Sequence, residues 1–189
     1  MSFYELLLSS RSYRSFDRTA PVTRETLLHL VDCARLTPSS MNLQMLKYRL
    51  VDTEEECAAL FPLTRWAGRI KDQKIPPAGH EPTAYVLICA DRTVSPTAET
   101  FQKDVGIVAQ TMMLAATEAG FGGCMIGSFD KNAAKELLGL SEDLVPMLLL
   151  ALGKPDEEVF LTDAEEDIAY YRANGKHYTP KRTRDDLIV

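Results

Sequence analysis

Apolar residues recur along the chain with two spacings, one typical of helices and one typical of buried strands. Spacings of three and four residues predict helices over 2–9, 23–36, 53–60, 104–119 and 131–138. Alternating or continuous apolar runs predict strands over 47–51, 84–90, 124–126 and 145–152, the last ended by Gly153. Strands separated by helices favour a three-layer mixed sheet of the α/β or α+β class.

The helix predicted over 104–119 is apolar on nearly every side, which is typical of a helix that is central or lies in an interface. The segment 156–167 is acidic and is predicted to be a solvated surface, and the rest of the chain has weak periodicity. That tail still carries large side chains that need burial, namely Ile168, Tyr170, Tyr171, Tyr178, Leu187 and Ile188. Wrapping a partner subunit is one way to bury them. We therefore predict one domain over 1–189, with 163–189 as an extended dimer-wrapping tail.

Length, net charge and the number of cysteines indicate which kinds of partner and which cellular compartment to expect. A length of 189 residues with 46% hydrophobic residues suffices for one domain with a core. A net charge of −6 argues against nucleic acid as the main partner. The sequence predicts neither a transmembrane helix nor a signal peptide. Its four cysteines lie far apart without a CxxC pair, so we expect reduced thiols in a cytoplasmic protein.

Two clusters of basic residues lie at opposite ends of this acidic chain. One is Ser10-Arg11-Ser12-Tyr13-Arg14 and the other is Lys181-Arg182-Thr183-Arg184. Arginine offers a planar fork of donors, lysine a point charge and serine a neutral donor, a set that suits a phosphate. If the fold brings the two ends together, they form one anion site. A solvated turn with salt bridges is the simpler interpretation of the first cluster.

Two further segments have patterns that would suit contact with a flat ligand. In Pro38-Ser39-Ser40-Met41-Asn42-Leu43-Gln44, the amides of Asn42 and Gln44 would point to the same side of an extended chain. The glycine-rich segment 120–128 lacks the dinucleotide fingerprint but would let the backbone approach a ligand near Gly127. A polar turn and a helix C-cap explain the two segments without any function. No metal-ligand spacing, nucleophile elbow or Walker loop is present.

Together these segments resemble the FMN-dependent nitroreductase family over nearly the whole chain. The first basic cluster, extended to Phe16, is similar to that family's R-R-S-x-R-x-F, and 34–44 is similar to its A-R-x-A-P-S-S-x-N-x-Q. Asp104-x-Gly106-x-x-Ala109-Gln110 and the glycine-rich turn resemble its central helix and following strand. Tyr178-Thr179-Pro180-Lys181-Arg182 resembles its C-terminal V-P-K-R. The shared order and spacing of these motifs carry the resemblance.

The resemblance implies an α+β fold, a homodimer with swapped C-terminal extensions, and two FMN sites at the dimer interface. It implies that the phosphate and ribityl groups are held by Arg11, Ser12, Arg14, Lys181 and Arg182. Arg184 is a candidate to replace the arginine that the family has where this chain has Ser10. The other subunit would supply Pro38, Ser39, Ser40 and Asn42, and Gln44 is a further candidate contact. The edge of the flavin ring would face Met125, Ile126, Gly127 and Ser128.

The chain also departs from the family's pattern where the substrate pocket is expected. Met45-Leu46 stands in place of the usual Pro-Trp, and the short link between 84–90 and 104–119 lacks a covering insertion. The segment 63–82 would then cover the pocket, with Trp66 and Arg69 as candidate substrate contacts.

As to activity, the resemblance implies an oxidoreductase in which FMN accepts hydride from NADH or NADPH and then reduces nitroaromatic compounds, quinones or related electron-poor substrates. Such a ping-pong mechanism needs no catalytic side chain, because the cofactor carries the chemistry. Two alternatives stay open: an FMN-binding sensor or carrier with little turnover, and a dimeric anion-binding or scaffold protein.

Overall fold

The computed structural model describes residues 1–70 and 73–189 of the chain. Within these residues the α-helices are α1 (Phe3–Ser9), α2 (Arg24–Arg35), α3 (Glu54–Leu60), α4 (Gln102–Glu118) and α5 (Lys131–Leu137). The strands are β1 (Phe16–Asp17), β2 (Leu46–Val51), β3 (Ala84–Asp91), β4 (Gly122–Ile126), β5 (Leu144–Pro155), β6 (Val159–Asp163), β7 (Tyr171–Ala173) and β8 (Lys176–Lys181). Each helix and strand predicted from the apolar pattern is confirmed. None of the described helices is long and apolar enough to cross a membrane.

The central sheet is built around β3, every residue of which is buried. β2 and β5 pair with its two edges in antiparallel register, and β5 in turn pairs with β4 and β1. Alternate residues of β3 face opposite layers: Val86 and Ile88 pack with α2 and α4, whereas Tyr85 and Leu87 pack with α3 and α5. Burial on both faces explains the unbroken apolar run. The three-layer α+β architecture is confirmed, and the parallel pairings in the described residues are Ser12–Gly123 and β6–β8.

Helix α4 packs against α2 and against one face of the central sheet. Val105, Val108 and Met112 are buried in the core that it shares with α2. Its other side carries Ile107, which is 39% exposed, and Gln110, which is also exposed. The helix is therefore central on one face, whereas Ile107 and Gln110 on its other face are exposed in the single chain.

Two predictions near the end of β5 are wrong, namely where the strand ends and that the acidic segment is solvated. The strand continues past Gly153 to Pro155, because β1 pairs with its last two residues. The missing side chain at Gly153 admits the Phe16 ring, which would lie 2.7 Å from a Cβ at that position. The acidic segment that follows is not wholly solvated, because the side chain of Glu157 is only 8% exposed and part of the segment forms β6.

The C-terminal region forms a small sheet in the order β6-β8-β7. Asn174 and Gly175 have φ values of 52° and 75°, and they join β7 to β8 in a two-residue hairpin. Phe160, Tyr178 and Tyr171 stack in a row across the three strands, with ring centroids 5.6 and 5.0 Å apart. The tail is thus more ordered than predicted, since 171–181 pairs within its own chain. The wrapping of a partner by 163–189 stays a prediction.

Candidate functional site

A cleft of about 350 Å³, called here the basic cleft, joins the two ends of the chain. Arg11, Ser12 and Arg14 line it from the segment after α1, and Lys181 lines it from the end of β8. Among the described residues that line it, none carries a carboxylate. The fold therefore concentrates positive charge in one place on a molecule whose net charge is −6.

The N-terminal segment reaches this cleft because it is attached to the edge of the central sheet. Ser12 forms a parallel bridge with Gly123, and the Tyr13 backbone N–H donates to the Gly123 carbonyl at 2.9 Å. A Cβ at Gly123 would collide with the Ala151 backbone oxygen, so only glycine allows β4 to lie this close to β5. The Arg11 guanidinium donates to the Leu7 carbonyl at the end of α1. Burial lowers the pKa of Arg11 from its ordinary value.

Arg14 is held by contacts from both ends of the chain. Its Nη1 donates to the Ser12 carbonyl at 3.0 Å and lies 3.4 Å from His177 Nε2, and its guanidinium lies 5.0 Å from the Tyr170 ring centroid. Because a guanidinium can only donate, Nε2 accepts and neutral His177 carries its proton on Nδ1. Burial, reinforced by the charges of Arg14 and Arg172, lowers the pKa of His177 to about 4.

A buried ion pair between Glu157 and Arg172 also contacts the N-terminal segment, through the backbone of Arg14. Glu157 accepts from the backbone N–H of Arg14 and from the Arg172 guanidinium. The two side chains are only 8% and 14% exposed, and burial raises the pKa of Glu157. Arg14, which lines the cleft, is therefore attached through its main chain and its side chain to the C-terminal sheet.

A second cleft of about 200 Å³, called here the edge cleft, continues the basic cleft past the end of β4. The two clefts share Arg14, Met125 and Tyr170, so they form one groove. Ile126, Gly127 and Ser128 line one side of the edge cleft and residues 65–67 line the other. Of the predicted ring-edge residues, Ile126, Gly127 and Ser128 line only the edge cleft, whereas Met125 lines both clefts.

The segment opposite β4 is fixed by backbone hydrogen bonds. The Arg65 N–H donates to the Ser128 carbonyl, and the Asp130 N–H donates to the Leu63 carbonyl, both at 2.9 Å. Trp66 lines the edge cleft, and its indole N–H donates to the Thr64 hydroxyl at 2.7 Å. Part of the predicted cover therefore lies beside the groove. Positions 71 and 72 of that cover lie outside the described residues.

The Pro38–Gln44 segment lies beside the first turn of α4, and its residues line neither the basic cleft nor the edge cleft. The Ser39 hydroxyl accepts from the Gln44 N–H at 3.2 Å. Met41, Asn42 and Gln44 have φ values of 52°, 55° and 49°, and all three are exposed. We call residues 39–44 the left-handed turn. Ser39 and Gln44 line a separate pocket of about 150 Å³.

Several predicted contacts are not brought to the groove in the single chain. Arg182 lines a surface groove beside Glu165 and Glu166, and the Arg184 side chain is 86% exposed and pairs with Asp185 at 3.2 Å. Arg69 contributes its backbone N–H to the Tyr170 hydroxyl at 3.4 Å, and its side chain is not among the residues that line the edge cleft. Pro38, Ser40 and Asn42 lie on or beside the left-handed turn.

Sequence reasoning missed part of the basic cleft's wall, namely Gln110, Tyr170, His177 and Thr179. Gln110 could have been found, because it belongs to the motif of the central helix. The other three required the C-terminal sheet, whose strands the apolar pattern did not predict. No group of His, Cys, Asp and Glu in the described part of the chain could hold a metal ion.

Comparison with known proteins shows which family this chain is similar to. Residues 7–154 match the Nitroreductase family. YodC of Bacillus subtilis (strain 168), named as an inferred NAD(P)H nitroreductase, is 27% identical over 177 residues, which cover 79% of this chain and 88% of YodC. The NADPH-flavin oxidoreductase of Vibrio harveyi is 30% identical over 168 residues, covering 81% of this chain and 65% of that protein.

A comparison of structures shows that the fold is shared. The solved structure of an FMN-dependent nitroreductase from Clostridium difficile R20291 matches with a TM-score of 0.66 at 22% identity, covering 87% of this chain and 92% of that one. The family match spans most of the three-layer core and reaches the N-terminal half of the groove. The chain belongs to the nitroreductase family.

Proposed function

We propose that this protein is an FMN-dependent oxidoreductase that uses NADH or NADPH to reduce nitroaromatic compounds, quinones or related electron-poor substrates. The observation that carries the proposal is the continuous groove, in which Arg11 and Lys181 line the cationic part and residues 126–128 line the edge cleft. The names of the relatives from Vibrio harveyi and Clostridium difficile, which mention flavin and FMN, support it.

The residues in the groove fit FMN. Arg11 Nε and His177 Nδ1 are buried without a hydrogen-bond partner, and both residues line the basic cleft. A buried donor without an acceptor is costly, so this cleft favours a ligand rich in acceptor oxygens. We infer that Arg11, Ser12, Arg14 and Lys181 hold the phosphate and ribityl groups, and that residues 125–128 line the edge of the ring.

FMN bound there would supply the redox chemistry, accepting hydride from NAD(P)H and passing it to the second substrate in ping-pong order. The protein's own part is to bind and orient. The cationic groove favours the negative charge that a reduced flavin carries, and Trp66 lies beside the cleft where the ring edge would be. No side-chain acid or base is assigned.

We further propose that the working unit is a homodimer. The left-handed turn and the groove lie on different sides of α4, because Asp104 and Val108 line the turn's pocket whereas Gln110 and Met113 line the basic cleft. A second copy, packed on the open face of α4, would bring its left-handed turn to this chain's groove. The tail, 163–189, would wrap that second copy, and the four free cysteines fit a cytoplasmic location.

The first test is the absorbance spectrum of the purified protein. We expect a flavin spectrum that NADH or NADPH bleaches without oxygen and that an added quinone or nitroaromatic compound restores. The matched control is Arg11→Ala combined with Lys181→Ala, which should purify without flavin. A colourless wild-type protein that takes up no added FMN contradicts the proposal, and tight binding without NAD(P)H oxidation favours the sensor.

The dimeric site is tested by complementation. One variant carries Arg11→Ala and Lys181→Ala, which disable the groove. The other carries Asn42→Gly, which removes the amide and keeps the positive φ. If the turn serves the partner, each mixed dimer has one intact site, so mixing the variants restores FMN binding and turnover. If the turn serves its own chain, mixing restores nothing.

A further inference from the structure

The left-handed turn contains three residues in a backbone conformation that disfavours side chains. Met41, Asn42 and Gln44 all have φ near +50°, where a Cβ crowds the backbone. Such conformations persist only when surrounding contacts hold them. In the single chain these side chains are exposed, Met41 to 77%, so their own packing does not stabilise the turn.

Besides the hydrogen bonds within the turn, a contact from Asp104 in the first turn of α4 holds it. Its Oδ2 accepts the Ser40 backbone N–H at 2.9 Å, and its Oδ1 accepts the Ser40 hydroxyl at 2.7 Å. Asp104 is only 2% exposed, so both carboxylate oxygens are used away from water. Charge-assisted bonds of this kind are among the strongest that a side chain makes.

Asp104 is not occupied with capping its own helix. A carboxylate in the first turn could satisfy the free N–H groups there, yet α4 has no side-chain cap bond at its N-terminus. Both oxygens reach across to Ser40 instead. The Asp104 carboxylate therefore stabilises the left-handed turn and not the N-terminus of α4.

We propose that Asp104 is a positioning residue that fixes the left-handed turn before the cofactor binds, so that Asn42 and Gln44 project toward the partner's groove. This inference rests on the proposed FMN site and its dimeric arrangement. Because the turn is already ordered before the cofactor binds, it loses less conformational freedom on binding than a mobile segment would.

The test compares Asp104→Asn with the wild-type dimer. The Asn amide can still accept the Ser40 N–H and donate to the Ser40 hydroxyl, but it carries no charge, so both bonds lose their charge assistance. We expect FMN affinity to fall about tenfold or more, as for the loss of a charged hydrogen bond. Affinity is read from flavin fluorescence at a concentration where sedimentation shows every variant to be dimeric.

Asp91→Asn is the matched control. The Asp91 carboxylate is also buried, 7% exposed, and accepts the backbone N–H and hydroxyl of Thr93 at 2.9 and 2.6 Å. Asp91 ends β3 and supplies nothing to the proposed site; one of its oxygens accepts both Thr93 donors, and the other lies 3.9 Å from Lys47 Nζ. The two variants should lose thermal stability to a similar degree, whereas only Asp104→Asn should lose FMN affinity.

A second-site change distinguishes positioning from general damage. Met41→Gly removes an exposed side chain and relieves the strain at a positive φ, so it should restore much of the affinity lost in Asp104→Asn. Wild-type affinity in Asp104→Asn, an equal affinity loss in Asp91→Asn, or a loss that Met41→Gly leaves unchanged would each overturn the inference. A wild-type protein without FMN would instead overturn the proposed function.

Discussion

The buried contact between Arg14 and His177 makes the stability of this protein sensitive to mild acid. The pKa of His177 is about 4 in the folded chain, whereas it is about 6.5 in an unfolded chain. Between these values the unfolded chain binds a proton that the folded chain excludes. The contribution of His177 to stability is therefore present above pH 6.5 and is lost as the pH falls toward 4.

The size of the effect follows from the two pKa values. At pH 5 the difference in proton binding lowers the free energy of unfolding by about 2 kcal/mol relative to pH 8. For a domain of this size that corresponds to a fall in melting temperature of about 4–8 °C. Glu157 acts in the opposite sense, because its raised pKa lets the folded chain take up a proton in acid. The pH dependence of the wild type alone would therefore understate the contribution of His177.

The informative comparison is with His177→Gln, whose amide oxygen can accept from Arg14 but does not titrate. Urea unfolding of both proteins, without flavin and at one protein concentration, gives the free energy of unfolding from pH 8 to pH 5. We expect the wild type to lose about 2 kcal/mol more than the variant, with the difference concentrated below pH 6.5. Parallel pH profiles would show that His177 is not held neutral by its surroundings, and the reasoning would fail.

Three further changes test the cleft, the sheet and the core. Arg11→Ala should weaken FMN binding 10–100-fold in a fluorescence titration, since a charged hydrogen bond contributes about 1.5–3 kcal/mol; unchanged binding would place the phosphate elsewhere. Gly123→Ala should destabilise the protein by about 3 kcal/mol in thermal melts because its Cβ collides with the backbone of β5, whereas Gly127→Ala, with no atom within 4 Å, should not. Leu30→Ala should cost about 2–5 kcal/mol in urea, and Leu28→Ala, 52% exposed, under about 0.5; equal costs would contradict the packing of α2.

The elements of the central layers were predictable because their sequence signals are local. Thr23 caps α2 by accepting the Thr26 N–H, and Asp130 caps α5 by accepting the Ala133 N–H at 3.0 Å. The apolar run of β3 follows from burial on both faces. Such signals need no knowledge of distant residues, so the helices and central strands lie within a few residues of the expected positions.

The C-terminal sheet was harder to predict because its stabilising contacts are distant in sequence. β6 pairs in parallel with β8, although β7 lies between them in the sequence. The strands of this sheet are short and only partly buried, so no alternation of apolar and polar residues stands out. One local signal was present, since Asn174-Gly175 is the dipeptide that two-residue hairpins favour. The burial of Glu157 depends on Arg172 and on the Arg14 backbone, and no spacing in the sequence indicates that contact.

The candidate site shows the same division between local and distant information. The two basic clusters suggested one anion site, and the fold does bring Arg11 and Lys181 into one cleft. Arg182 and Arg184 follow in the same run, yet their side chains do not line it. β8 ends at Lys181, so Arg182 and Arg184 lie beyond the strand that places Lys181 in the cleft, and a cluster in sequence need not all serve one cleft.

The separation of the left-handed turn from the groove is the strongest structural argument for a two-chain site. The family resemblance assigns both segments to one cofactor, but Asp104 holds the turn on one side of α4 while Gln110 lies in the cleft on another. Moving the turn to its own groove would require breaking the Asp104–Ser40 bonds and unpacking a helix whose inner face is buried. In the proposed dimer, a second copy with its own turn in place would complete the groove without either change. Each chain would then depend on its partner for cofactor binding, so loss of the dimer and loss of FMN should occur together.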